Sequence, residues 1–205
     1  MSEDLMLDVG AANELKMAFR RAGWSSADVK RLGEGDWATK ILPILRGNAI
    51  VQIIKHVINL AGDCMPEQWK KDKWTIEKHV GDGTLELDPS QLKLHFSPNQ
   101  IGGKVIEGNK LRKELEKNKV PVLNACVLDY LLAHPDLIPE DWKKDEKGNT
   151  RYIYFWGTVY RFPDGDLCVR CLSWDNGAWR WSYNSLDDDW HGQLPAAMLA
   201  SVPKP

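Results

Sequence analysis

A chain of 205 residues, 43% apolar and 27% charged, can bury a core without staples and has the balance of an ordinary soluble protein. Its formal charge of −2 argues against a nucleic-acid coat, and no apolar run approaches the roughly eighteen residues of a membrane-spanning helix. The acidic start Met1-Ser-Glu-Asp-Leu5 lacks a signal peptide's basic lead, so the expected setting is cytoplasmic, with four reduced cysteines.

Residues 1–48 read as a helical N-terminal region. Leu15, Phe19 and Ala22 recur at helical spacing in Asn13–Ala22, which stops at Gly23. Ser25 offers a cap to a second short helix closed by Gly33. A third helix runs from about Trp37 to Arg46, with Pro43 inside and Gly47 as its stop.

In the middle region, 49–135, the periodicity changes. Ala49–Leu60 is rich in Val and Ile and reads as a buried strand, while Lys73–His79 and Leu92–Phe96 alternate as half-buried strands. Gly81-Asp-Gly83 and Asp88-Pro89 supply the turns. Gly108–Lys119 reads as a basic helix with Leu111 and Leu115 pointing inward, a solvated face rather than a phosphate patch. Pro121–Leu132 reads as a helix buried on most sides and ended by His134-Pro135. Pro139–Thr150, charged and carrying Gly148-Asn149, reads as an exposed connector.

The third region, 151–205, is rich in tryptophan, of which the chain has ten. Tyr152–Phe162, Leu167–Trp174 and Ala178–Leu186 read as a three-stranded antiparallel meander, turning at Pro163-Asp-Gly165 and Asp175-Asn-Gly177. Pro195–Ala200 reads as a short helix returning to the body. The fold class expected is α+β: N-terminal helices, a mixed strand and helix middle, and a C-terminal antiparallel β-meander.

No G-x-S-x-G, P-loop, H-E-x-x-H or G-x-G-x-x-G occurs. An enzyme would have to assemble its site by folding, from His56, His79 or His95 with nearby carboxylates. Cys168-Val-Arg-Cys171 has the spacing of a zinc or redox pair, but on a strand side chains three apart face opposite ways. Asp187-Asp-Asp189 has oxygens for Ca²⁺, but a solvated turn accounts for it better. No metal and no cofactor is expected. On Ala178–Leu186 the residues Trp179, Trp181 and Tyr183 share one face, and Arg180, Ser182 and Asn184 the other. The aromatic face is expected to pack inward, with sugar stacking as the alternative.

Gly103–Leu115, Val122–Leu132, Ile138–Trp142 and Phe155–Arg161 resemble a family of bacterial proteins of metagenomic origin to which no activity is attached. Trp179–Ser201 resembles the variable region of target proteins of diversity-generating retroelements, in which an error-prone reverse transcriptase alters adenines of a template copy. That resemblance implies a C-type-lectin-like ligand-binding domain with a variable C-terminal surface. Codons for Trp, Pro, Ala and Leu can lack adenine, so Trp179, Trp181, Leu186, Trp190, Pro195, Ala196 and Ala197 would stay fixed as scaffold. Asparagine codons altered at adenine yield Ser, Asp, His, Tyr, Gly, Arg and Leu, the types between them, while Gln193 needs a lysine codon.

The resulting expectation is a non-enzymatic binding protein. Arg180, Ser182, Asn184, Asp188, His191 and Gln193 would form its exposed ligand-binding patch, over buried Trp179, Trp181, Leu186 and Trp190. The partner would be a macromolecule, protein or glycan, and neither nucleic acid nor membrane; the oligomeric state stays open. The alternatives are an enzyme built from dispersed histidines and carboxylates, a helical adaptor, and a carbohydrate-binding module.

Overall fold

The computed structural model describes residues 8–49 and 55–200, and the chain divides into two compact units, Met1–Ile54 and Lys55–Pro205. The first unit is helical: α1 (Val9–Arg21), α2 (Ser26–Leu32) and α3 (Trp37–Leu45, with Pro43 inside). α1 begins ahead of its apolar pattern because the Asp8 carboxylate accepts from the Ala11 N–H at 2.7 Å. Ser25 and Asp28 form a reciprocal capping box on α2. Phe19 stacks on Trp24 with ring centroids 4.6 Å apart, and neither α1 nor α2 buries a residue.

The second unit is α+β. Its elements are β1 (His56–Asn59), α4 (Glu67–Lys71), β2 (Thr75–His79), β3 (Thr84–Leu87), β4 (Leu92–His95), β5 (Ile106–Glu107), α5 (Gly108–Lys117) and α6 (Ala125–Ala133), followed by six further strands. These are β6 (Tyr152–Tyr154), β7 (Thr158–Arg161), β8 (Leu167–Asp175), β9 (Ala178–Ser185), β10 (Asp189–Trp190) and β11 (Ala196–Leu199). Of the strand expected over Ala49–Leu60, residues 50–54 lie outside the described residues, and the observed strand starts at His56. It pairs antiparallel with β3, and β5 pairs with β10. Among the described residues no helix is long and apolar enough to cross a membrane.

The main sheet is organised by β8. β9 lies along one edge of β8 through the turn Asn176-Gly177, whose φ values of 48° and 78° give the mirror-image turn that suits strand twist. The other edge of β8 takes both β6 and β7, because the single strand expected over Tyr152–Phe162 is broken by a bulge at Phe155-Trp-Gly157. Beyond the bulge the two halves diverge. β7 pairs onward with β2, and β6 with β11 and through it β4. Pro195–Ala200 is therefore not a helix: Ala196–Leu199 fills the slot between β6 and β4, where strand pairing outweighs alanine's helical preference.

Because β8 is covered on both sides, two apolar clusters form. α6 and α4 pack over one face around Leu128, Leu131, Phe155, Tyr160 and Leu172. α5 packs over the other, with Leu111 and Leu115 inward beside Val169, Leu186 and Trp190. Its outward charges are paired, as in Lys110–Glu107, Arg112–Glu116 and Lys78–Glu116. The connector Pro139–Thr150 is less exposed than its charges suggest, since Trp142 is 1% exposed and anchors it in the first cluster.

The bulge is packed tightly against the start of α6. A Cβ on Gly157 would lie 2.8 Å from the Asn124 backbone N and Cα. Gly157→Ala should therefore destabilise the unit by about 3 kcal/mol, the upper range of overpacking, because neither clashing atom can turn away. A urea titration should show a lowered midpoint at unchanged slope.

Candidate functional site

The six residues expected to contact ligand fall in three neighbouring parts of the tail. Arg180, Ser182 and Asn184 share one face of β9; the first two are exposed and Asn184 half-buried. Asp188 is exposed in the turn between β9 and β10. His191 and Gln193, both half-buried, line a cleft of about 700 Å³, with Lys104 and Gly103 on one wall and Arg151 and Asn149 on another. That size suits a small ligand or an anchoring side chain of a larger one.

Main-chain bonds hold this turn in place. The Gln100 side chain, 2% exposed, donates to the Leu194 carbonyl at 3.0 Å. The Gly108 N–H donates to the Asp188 carbonyl at 3.1 Å and the Asn109 N–H to the Leu186 carbonyl at 2.9 Å. Asp187 is the side chain tied down, accepting from Asn109 Nδ2 at 2.7 Å. Beneath the turn Trp190 is fully buried against Tyr154 and Trp156, with ring centroids at 4.2 and 4.7 Å.

The aromatic face of β9 departs from expectation. Leu186 and Trp190 are buried, but Trp179 is half-buried and Trp181 is 39% exposed. β9 lies on the outer edge of β8, at the margin of the cover that α4 and α6 provide. Trp181 is left with Trp69 at its edge (5.5 Å) and the Arg170 guanidinium 4.4 Å over its ring. Tyr183, 43% exposed, meets Trp69 and Trp74 edge-on. Arg170 itself is buried; it donates to both Asp129 carboxylate oxygens (2.7 and 3.2 Å) and to the Cys64 carbonyl (3.1 Å).

A second polar group lies in the interior, away from the tail turn. Cys64 in the loop after β1, His79 at the end of β2 and Cys126 in the first turn of α6 place their donor atoms within 4.8 Å of one another. His79 Nε2 is 2.6 Å from the Leu60 carbonyl, so Nε2 bears the proton. Nδ1 is left as an acceptor, 2.9 Å from the Thr158 hydroxyl and 3.8 Å from Cys64 Sγ. The Cys126 thiol beside Cys64 is the main cause that pulls the Cys64 thiol well below its ordinary range, against burial; the Tyr160 hydroxyl and His79 add to it. The Cys126 thiol is raised, first by the same neighbour and then by burial.

In the sequence His79 is one of three dispersed histidines, and Cys64 and Cys126 stand apart from any motif. Their positions span 62 residues, and no spacing rule joins a loop, a strand end and a helix start. The other two histidines lie elsewhere. His56 bonds the Tyr130 hydroxyl at 3.0 Å; His95 has a buried, unpartnered Nε2, and burial lowers its pKa. Among the described residues none of the three hydrogen-bonds a carboxylate. Cys168 and Cys171 fall in opposite clusters across β8, as strand geometry demands. Compared with known proteins, the chain matches no family model, curated protein or solved structure.

The burial pattern sets the cost of each tail substitution. Trp190→Ala should destabilise by about 3–5 kcal/mol through lost burial and a cavity. Trp181→Ala should cost about 1 kcal/mol, and alanine at Arg180, Ser182 or Asp188 less than about 0.5 kcal/mol. Denaturant midpoints across the series check the order, which a buried role for Trp181 would reverse.

Proposed function

We propose that this chain is a non-enzymatic binding protein whose C-terminal segment, from β9 through the turn to Gln193, is a recognition surface diversified between gene copies. Its partner is a macromolecule, protein or glycan. The observation that carries this reading is the division of labour along the tail. Of the set expected to stay fixed, Leu186, Trp190, Pro195, Ala196 and Ala197 are buried, Trp179 is half-buried and Trp181 exposed; of the places between, Arg180, Ser182, Asp187, Asp188 and Asp189 are exposed and Leu194 is buried. Asn184, His191, Gly192 and Gln193 are half-buried at the margin.

Support also comes from how the turn is held. Its bonds to Gln100, Gly108 and Asn109 use mostly its own backbone, so exchanging side chains there leaves the scaffold's contacts in place. The cleft bounded by His191 and Gln193 gives a projecting group of the partner a place to enter.

Deep sequencing of this gene across a natural population tests the reading. Replacements should concentrate at adenine positions of the codons for Arg180–Gln193 and spare Trp179, Trp181, Leu186 and Trp190. A near-copy of the tail's coding sequence should lie beside a reverse-transcriptase gene. Substitutions spread evenly along the gene, with no such neighbour, would sink the diversified surface.

A further inference from the structure

Three chain segments converge at Cys64, His79 and Cys126, and their chemistry is that of a cation site. Two sulfurs and an imidazole nitrogen are the donors preferred by zinc, and tetrahedral coordination at metal–donor distances of about 2.0–2.3 Å puts neighbouring donors about 3.5–3.8 Å apart. Cys64 Sγ and His79 Nδ1 are already 3.8 Å apart, and every donor pair lies within 4.8 Å, so closure needs shifts of about 1 Å at most. We propose that Cys64, His79 and Cys126 bind one zinc ion, which pins the loop after β1 and the start of α6 to the end of β2.

The surroundings fit such an ion. The Leu60 carbonyl accepts from His79 Nε2–H at 2.6 Å and so fixes the tautomer that turns the Nδ1 lone pair toward the cysteines. This is the backbone partner that orients a metal-bound imidazole. Thr158 meets the same nitrogen: its hydroxyl, which accepts the Ala125 N–H at 3.0 Å, donates to Nδ1 at 2.9 Å, a bond that the ion replaces on binding. Beside Cys64, Cys126 Sγ also lies 3.4 Å from the carbonyls of Leu60 and Gly62, weak bonds for a thiol held at a helix start. Two thiolates and a neutral imidazole balance a divalent ion, so the filled site buries no net charge. Three protein donors leave the fourth position to water. The Cys168–Cys171 pair has the motif spacing but cannot act in this way, since its sulfurs lie on opposite faces of β8.

The full chain, stripped by chelator under reducing conditions, is titrated with Co²⁺ and then with Zn²⁺. The expected result is saturation at one Co²⁺ per chain, with thiolate-to-cobalt charge-transfer absorption and the intense visible bands of tetrahedral cobalt, all bleached by Zn²⁺. Cys64→Ser and Cys126→Ser should abolish the charge-transfer band, and Cys168→Ser should keep it. Because the first two variants replace buried residues and can fail to fold, the wild-type protein carries a second readout. Zinc should slow iodoacetamide labelling of Cys64 and Cys126 at least tenfold, resolved by peptide mass spectrometry, and leave Cys168 and Cys171 unchanged. A hydrated, six-coordinate cobalt spectrum in the wild-type chain overturns the site. So does zinc protection that falls on other cysteines or on none.

Discussion

The Asn124 side chain is the interaction on which the second unit converges. It is 2% exposed, and each atom of its amide is committed. Oδ1 caps α6 by accepting the N–H groups of Cys126 (3.1 Å) and Val127 (3.3 Å). Nδ2 donates to the Leu60 and Val80 carbonyls, both at 3.0 Å, and so binds the ends of β1 and β2 to the same helix start. The neighbouring backbone completes the junction, with Gly157 N–H donating to the Leu123 carbonyl and Val80 N–H to the Gly157 carbonyl. Only a residue without a Cβ lets the bulge approach this closely. The bulge then decides the topology, because it frees β6 and β7 to take different partners.

A strand covered on both faces imposes its own constraint. From Cys168 to Ser173 every residue of β8 is buried, so neither face can be simply polar. The one charged residue of that run, Arg170, is accommodated because Asp129 receives it through two bonds and the Cys64 carbonyl takes a third. One guanidinium thus joins α6, the Cys64 loop and the ring of Trp181. It also explains why the partly exposed Trp181 is held in place without being buried.

Local chemistry was legible wherever a short-range rule acts. The Ser25 cap, the Asn176-Gly177 hairpin turn, the inward Leu111 and Leu115 of α5 and the opposed sulfurs of Cys168 and Cys171 each follow from spacing or backbone preference. Pairing did not show in the same way. The short apolar run after Pro195 suits helix or strand equally, and only the gap between β6 and β4 decides it. β3 went unread because its alternating Thr84-Leu-Glu-Leu87 is closely framed by the turn signals Gly83 and Asp88-Pro89 and reads as part of the connection, and Trp142 because a lone aromatic in a charged segment carries no period. The convergence of Cys64, His79 and Cys126 depends on three tertiary contacts at once, which no local pattern encodes.

The same difference between backbone and side-chain anchoring explains how a surface can vary on a fixed frame. β9 is attached to β8 by a main-chain ladder from Cys168–Ser185 to Asp175–Ala178, which any residue except proline can make. The following turn is held by bonds to its carbonyls and by two buried side chains, Leu186 and Trp190. Between these anchors the side chains of Arg180, Ser182 and Asp188 leave the core and are free of its volume constraint. Asn184, His191 and Gln193 stand at the margin, where size matters and identity matters less. On the proposed reading, variation is tolerated there because the energy of the fold lies in the ladder, Asn124 and the tryptophan beneath, none of which uses the variable side chains.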